Sequence, residues 1–225
     1  MIECRNLKFG HGSPKSKTYV ELIHDISLKI EDGEFVAIIG ENGAGKSTLS
    51  KILAGLLKPV EGSVTVNGMD TKKTKNSVLA KHLGFLFQNP DRQLCCYTVK
   101  DEIAFGLKST KFGSAKEIEE RTNEVINQFK FNKDDAPFAL SRGQRQKLAL
   151  ASVIAVNPKI MILDEPTTGL DEVECREIMD YVKFLNETKG TTVIMVCHDM
   201  DLVKEYSKRT VTVSAGKIIY DGATK

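Results

Sequence analysis

Apolar residues fall in two rhythms along this chain. Residues 2–9 and 20–30 alternate loosely around a glycine- and lysine-containing turn at residues 11–17, which predicts an antiparallel edge. Phe35–Ile39 is instead continuously apolar into Gly40, the pattern of a parallel strand buried on both faces. From Lys46 to Leu57, apolar residues at 49, 52, 53 and 56 recur at helical spacing. Short strands are predicted at 62–68, between two glycines, and at 83–87. Residues 98–138 carry no strand signal. Helices are expected there at 102–107 and 115–131, the second with Ile118, Val125, Ile126 and Phe129 on one face. Strands return at 159–163, 191–197 and 209–213, separated by helices at 144–156, 172–187 and 199–207. Strands alternating with helices predict an α/β fold with a mainly parallel sheet flanked by helices. To it are added an N-terminal antiparallel β subdomain and a helical insertion. The whole of residues 1–225 reads as one domain, with the helical subdomain spanning about residues 89–157.

Composition narrows the partners. With 32 basic and 30 acidic residues the formal net charge is +2, which offers no large electrostatic hold on nucleic acid. The cysteines at 4, 95, 96, 175 and 197 lack paired CxxC spacing and fit free thiols better than disulfides or zinc. The longest apolar runs are strand-sized, well short of the ~20 residues of a membrane helix. The opening MIECRNLKFG does not read as a signal peptide. Any membrane role is therefore expected through a partner. The abrupt end after Tyr220-Asp221-Gly222 points to a natural chain that continues further.

Gly40-Glu41-Asn42-Gly43-Ala44-Gly45-Lys46-Ser47 matches the phosphate-loop pattern between a buried strand and a helix, the context that gives it meaning. Its glycines let backbone N–H groups turn toward phosphate oxygens. Lys46 supplies charge to the β- and γ-phosphates, Ser47 a magnesium ligand, and Thr48 a donor to the α-phosphate. Asp164-Glu165 closes the strand 159–163. In a phosphate-loop NTPase the first carboxylate serves the Mg²⁺ shell, and Glu165 is placed to polarise the attacking water.

Ser141-Arg142-Gly143-Gln144 is a capping box at a helix start, which explains Ser141 and Gln144 but not a glycine inside the first turn. Close approach of phosphate to bare backbone would explain Gly143, and the two roles are compatible. Gln88 is either a surface residue before a turn or a sensor near Mg²⁺ and the γ-phosphate. His198, at a strand end, is suited to donate to the γ-phosphate or orient the water. Asp171 caps the helix that follows or reaches a partner chain.

The ordered set of phosphate loop, Gln88, Leu140-Ser141-Arg142-Gly143-Gln144, Ile162-Leu163-Asp164-Glu165, Gly169-Leu170-Asp171 and His198 resembles the nucleotide-binding subunit of an ATP-binding cassette (ABC) transporter across essentially the whole chain. The resemblance implies ATP and Mg²⁺ as ligands and a head-to-tail dimer with a second ATPase subunit, identical or homologous. In that dimer Ser141 and Gly143 of one chain meet the γ-phosphate held on the other chain's Lys46, with Asp171 at the same interface. It also implies a transmembrane partner and a place on the cytoplasmic face of the membrane. The family's adenine-stacking aromatic corresponds to His11, with Phe9 two residues earlier, and Arg142 stands where the family often has glycine. Phe87-Gln88-Asn89-Pro90-Asp91-Arg92-Gln93 and Asp101-Glu102-Ile103-Ala104-Phe105-Gly106 are similar to ATPases of energy-coupling factor importers, which take up vitamins or cobalt and nickel ions. The rival readings are an ATPase of another ABC importer or exporter, and a soluble ABC ATPase of DNA repair or translation. The repair type is disfavoured because no sustained heptads follow Gln88.

Overall fold

The structure, a computed structural model, describes residues 1–12 and 19–225, so most of the turn expected at 11–17 lies outside the described residues. In chain order the elements are β1 (Ile2–His11), β2 (Val20–Ile30), β3 (Phe35–Ile39), α1 (Lys46–Leu53), β4 (Glu61–Val66), β5 (Met69–Asp70), α2 (Asn76–Leu79) and β6 (Leu83–Leu86). Then come α3 (Val99–Thr110), α4 (Ala115–Gln128), α5 (Arg142–Ala155), β7 (Ile160–Asp164), α6 (Glu172–Lys189), β8 (Thr192–Val196), α7 (Met200–Tyr206), β9 (Arg209–Ser214) and β10 (Lys217–Ala223).

Two sheets form. One is antiparallel, in the order β2-β1-β4-β5; the other runs β10-β9-β3-β8-β7-β6, parallel except where β10 turns back on β9. The all-apolar central strands need both faces covered, and alternation of side chains delivers it. Val36, Ile38, Ile160, Ile162, Ile194 and Val196 point into the core shared with the antiparallel sheet and α1. Phe35, Ala37, Met161, Leu163, Val193 and Met195 point into a second core built with α3 to α7. Between β6 and β7 the described residues form helices and turns, without a strand.

Two expectations shift. The first helix stops at Leu53, not near Leu57. Gly55 adopts φ +75°, its N–H bonds Ile52 O at 3.0 Å, and Leu56 N–H bonds Lys51 O at 2.9 Å. That pair is a Schellman cap, and it leaves Leu56 40% exposed instead of continuing the helical stripe. The helix whose apolar pattern starts at 144 begins at Arg142, as the capping box at Ser141 predicts, with Gly143 in its first turn. The last strand, β10, has no counterpart in the expected elements. It is joined to β9 through Ala215 and Gly216, both at positive φ as a tight hairpin requires, and its Ile219 is 66% exposed, so it never shows a buried apolar stripe.

Candidate functional site

Four parallel strands end on the same edge of the large sheet, where open α/β sheets place their ligands. β3 runs into Gly40, β6 is followed two residues later by Gln88, β7 ends at Asp164, and β8 is followed two residues later by His198. Because β3, β8, β7 and β6 are consecutive neighbours, residues far apart in sequence converge there. A pocket of about 330 Å³ sits at this edge. Asn42, Gly43, Gly45, Lys46, Ser47 and Thr48 line one side; Gln88 and Glu165 line the other, with Leu22 from β2.

Gly45 is the N-cap of α1 in the left-handed region, φ +102°, and no side chain caps the helix. The first-turn N–H groups are therefore left for an anion, with no acidic residue in that turn to compete. Lys46 is almost fully buried. Its Nζ donates to Gly40 O at 2.7 Å and Glu41 O at 2.9 Å, so the ammonium braces its own loop.

Ser47 Oγ donates to Asp164 Oδ1 at 2.8 Å, tying the start of α1 to the end of β7. Asp164 Oδ2 is buried and has no hydrogen-bond partner among the described residues. Burial pushes the Asp164 carboxyl above its ordinary value, against the lowering effects of the Ser47 bond and of Lys51 and Lys46. A buried carboxylate oxygen lacking a partner, beside a serine hydroxyl and an open polar pocket, suits a hard divalent cation such as Mg²⁺. Glu165 follows at φ +54°, a conformation a non-glycine residue adopts only when its surroundings fix it. Its N–H bonds Val196 O at 3.0 Å, and its Oε2 lies 2.7 Å from His198 Nδ1. The carboxylate is nearly buried while the imidazole is 69% exposed. Glu165 thus lines the pocket with a histidine beside its carboxylate.

Ser141, Gly143, Gln144 and Asp171 do not line this pocket. Ser141, Gln144 and Asp171 are exposed elsewhere on the same chain, and Gly143 is buried beneath the turn at Gly169. Ser141 caps α5 in the expected box: Gln144 N–H donates to Ser141 Oγ at 3.2 Å, and Ser141 N–H to Gln144 Oε1 at 2.9 Å. Asp171 caps α6, its Oδ1 accepting from Glu174 N–H at 2.8 Å. Gly143 has an intrachain reason that sequence reasoning did not contain: a Cβ there would lie 2.6 Å from Gly169 O. The aliphatic stem of Arg142 lies across Gly169 as well. Arg145 joins this surface to the segment after Gln88, through Asp91 Oδ1 at 2.7 Å and Leu140 O at 2.5 Å. His11 is exposed at the end of β1, and its ring meets Phe9 edge-on at 5.6 Å; Phe9 is buried, which leaves His11 as the ring of the two able to offer a face.

Gln146 was not anticipated. Fully buried on α5, it directs its Nε2 toward the carbonyls of Glu165 and Pro166 at 3.4 and 3.5 Å. An amide in the apolar stripe of a helix, between Gly143 and Leu150, was the available signal. Gln93 is similar: its Oε1 accepts from Phe87 N–H at 3.2 Å, and its Nε2 donates to Ala149 O at 2.8 Å, so it holds the backbone just before Gln88.

The sequence profile of the family described as ABC transporter matches residues 23–168. A putative ABC transporter ATP-binding protein of Caldanaerobacter subterraneus subsp. tengcongensis is 47% identical over 196 residues, covering 86% of this chain and 34% of the relative. The energy-coupling factor transporter ATP-binding protein EcfA1 of Clostridium novyi is 38% identical over 229 residues, covering 100% of this chain and 80% of the relative. Among solved structures, the ATP-binding cassette MJ0796, in a dimeric post-hydrolysis state bound to ADP and Pi, matches with a TM-score of 0.90 at 29% identity, over 100% of this chain and 99% of that one. The structure of cbiO1 from Clostridium perfringens, part of the ABC transporter complex cbiONQ, matches with a TM-score of 0.83 at 31% identity, over 100% of this chain and 88% of that one. The chain spans less than half the length of the first curated relatives it matches, 34% and 44% of two of them.

Proposed function

This chain belongs to the ABC transporter family, and from that membership we propose that it binds and hydrolyses ATP as one half of a head-to-tail dimer, driving solute uptake through a transmembrane partner. The observation that carries the reading is the division of the site into two surfaces. Lys46, Ser47, Glu165 and Gln88 line one pocket, with Asp164 bonded to Ser47 behind it, whereas Ser141 and Gly143 sit on a separate helix tip that shares no residue with it. A second copy, apposed in reverse, would bring that tip over the pocket. The dimer reported for MJ0796 supports this arrangement.

Within the pocket, Lys46 leaves its loop carbonyls for the β- and γ-phosphates, and the uncapped N–H groups of α1 take the remaining phosphate oxygens. Thr48 donates to the α-phosphate, and His11 stacks on adenine. Ser47, Asp164 and Gln88 would hold Mg²⁺, which supplies charge neutralisation at the phosphates when bound. Glu165 takes the proton of the attacking water, while His198 holds the carboxylate oriented and is free to donate toward the γ-phosphate. Asp171 reaches across to the second chain.

No helix among the described residues is long and apolar enough to cross a membrane, so attachment to the cytoplasmic face would come through the partner. The energy-coupling factor relatives and cbiO1 favour an importer of that kind, with a vitamin or cobalt or nickel as solute. The test is Glu165→Gln. It retains ATP binding, loses about 10²–10⁴ in turnover and accumulates as a closed dimer with ATP on size exclusion. Parental turnover in that variant would remove Glu165 from the chemistry, and a monomer at saturating ATP would remove the shared site.

A further inference from the structure

Cys95 and Cys96 play no part in the site above, and their spacing predicts nothing. The fold changes that. In an extended segment, adjacent side chains point to opposite sides. Here the backbone curls around a third residue seven positions on, Glu102 in the first turn of α3. Glu102 Oε2 accepts from the N–H groups of both cysteines, each at 2.8 Å. The result is that both Sγ atoms and a Glu102 carboxylate oxygen lie within 4.8 Å of one another.

The loop's own architecture explains only part of this. A carboxylate filling a nest of two N–H groups is a structural device, and it accounts for Glu102 Oε2. It leaves Glu102 only 3% exposed, with no cation paired to it and no donor on its other oxygen among the described residues. Nor does packing account for the two thiols, because Cys95 is exposed. What remains is the carboxyl group of a buried residue and two converging sulfurs, of which the Cys95 one is on an exposed residue.

We propose that Cys95, Cys96 and Glu102 form a binding site for a thiophilic divalent cation of the zinc, cobalt(II) or cadmium class. Two sulfurs and one carboxylate oxygen supply three corners of a tetrahedron, with water as the fourth, and sulfur selects these ions over magnesium or calcium. Binding exchanges protons for metal: the cation forms bonds to both sulfurs, and the two thiol protons leave to solvent.

Cobalt(II) titrated into the nucleotide-free chain under a non-chelating phosphine reductant gives the decisive reading. The expected result is a sulfur-to-cobalt charge-transfer band in the near ultraviolet that saturates at one equivalent, with proton release on binding. Oxygen-only coordination at Ser47 and Asp164 gives no such band. Cys95→Ser and Cys96→Ser each abolish it, Cys175→Ser leaves it intact, and Glu102→Gln weakens binding by about tenfold or more while keeping an acceptor for the two N–H groups. A band that survives Cys95→Ser with Cys96→Ser, or no band in the unmutated chain, overturns the site. A second measurement needs no variant: cadmium(II) protects Cys95 from iodoacetamide in the unmutated chain, read by peptide mass. Alkylation of Cys95 at the same rate with and without cadmium(II) also overturns it.

Discussion

Replacing Gly143 with alanine adds one methyl group to the first turn of α5, 2.6 Å from Gly169 O. Real Cβ atoms do not approach a carbonyl oxygen that closely, and the obstacle is backbone, which cannot swing aside as a side chain tip would. Either α5 tilts or the Gly169–Asp171 turn moves. Overpacking of this kind costs about 1–3 kcal/mol. Against it stands the gain from removing a glycine from a helix, roughly 0.5–1 kcal/mol. At the middle of both ranges the clash wins, leaving a net loss of about 1 kcal/mol. For a chain of this size each kcal/mol lowers the melting temperature by about 2–4 °C, so a drop of roughly 2–4 °C is expected. The assay is thermal unfolding of nucleotide-free protein at a concentration where it is monomeric, which isolates the intrachain contact from any phosphate contact. An unchanged or higher melting temperature would refute the reasoning and leave phosphate approach as the sole reason for the glycine.

Other consequences follow from the same pocket and its supports. Burial holds the Asp164 carboxyl above its ordinary 3.8, so across the window from 3.8 upward to its native value the folded state binds more protons than the unfolded state. Nucleotide-free stability therefore falls as pH rises through that window, and Asp164→Asn should flatten this component in denaturant unfolding measured against pH; an identical slope in both proteins contradicts it. Lys46→Ala should abolish ATP binding in calorimetry and also destabilise the empty protein by about 1–2 kcal/mol, because two loop carbonyls lose a charged donor. Asp91→Ala should cost at most about 1 kcal/mol as a partly exposed ion pair, whereas Arg145→Ala should shift the denaturation midpoint further, since Leu140 O loses its donor too.

The fold was legible where a segment's burial was uniform. Phe35–Ile39, Ile160–Asp164 and Thr192–Val196 are buried almost throughout, and such runs announce themselves without a partner in view. β10 was not legible, because none of its residues is fully buried and it therefore shows neither an apolar run nor strict alternation. The phosphate loop, Asp164 and Glu165 could be read because their chemistry is local in sequence. Gly143 was read toward phosphate alone, because its contact with Gly169 O depends on how α5 and the turn before α6 pack. Gln146, and the meeting of Cys95 and Cys96 with Glu102, depend likewise on packing and on the course of a loop.

Lys46 has a consequence for the timing of a cycle. An empty loop with a loose ammonium would have to order itself each time a nucleotide arrived and would slacken each time one left. Here the ammonium rests on Gly40 O and Glu41 O, so the loop is braced by its own lysine. On the reading proposed above, nucleotide entry would be a swap of neutral oxygens for anionic ones, and departure the reverse swap. The loop would then reset without a disorder-to-order step.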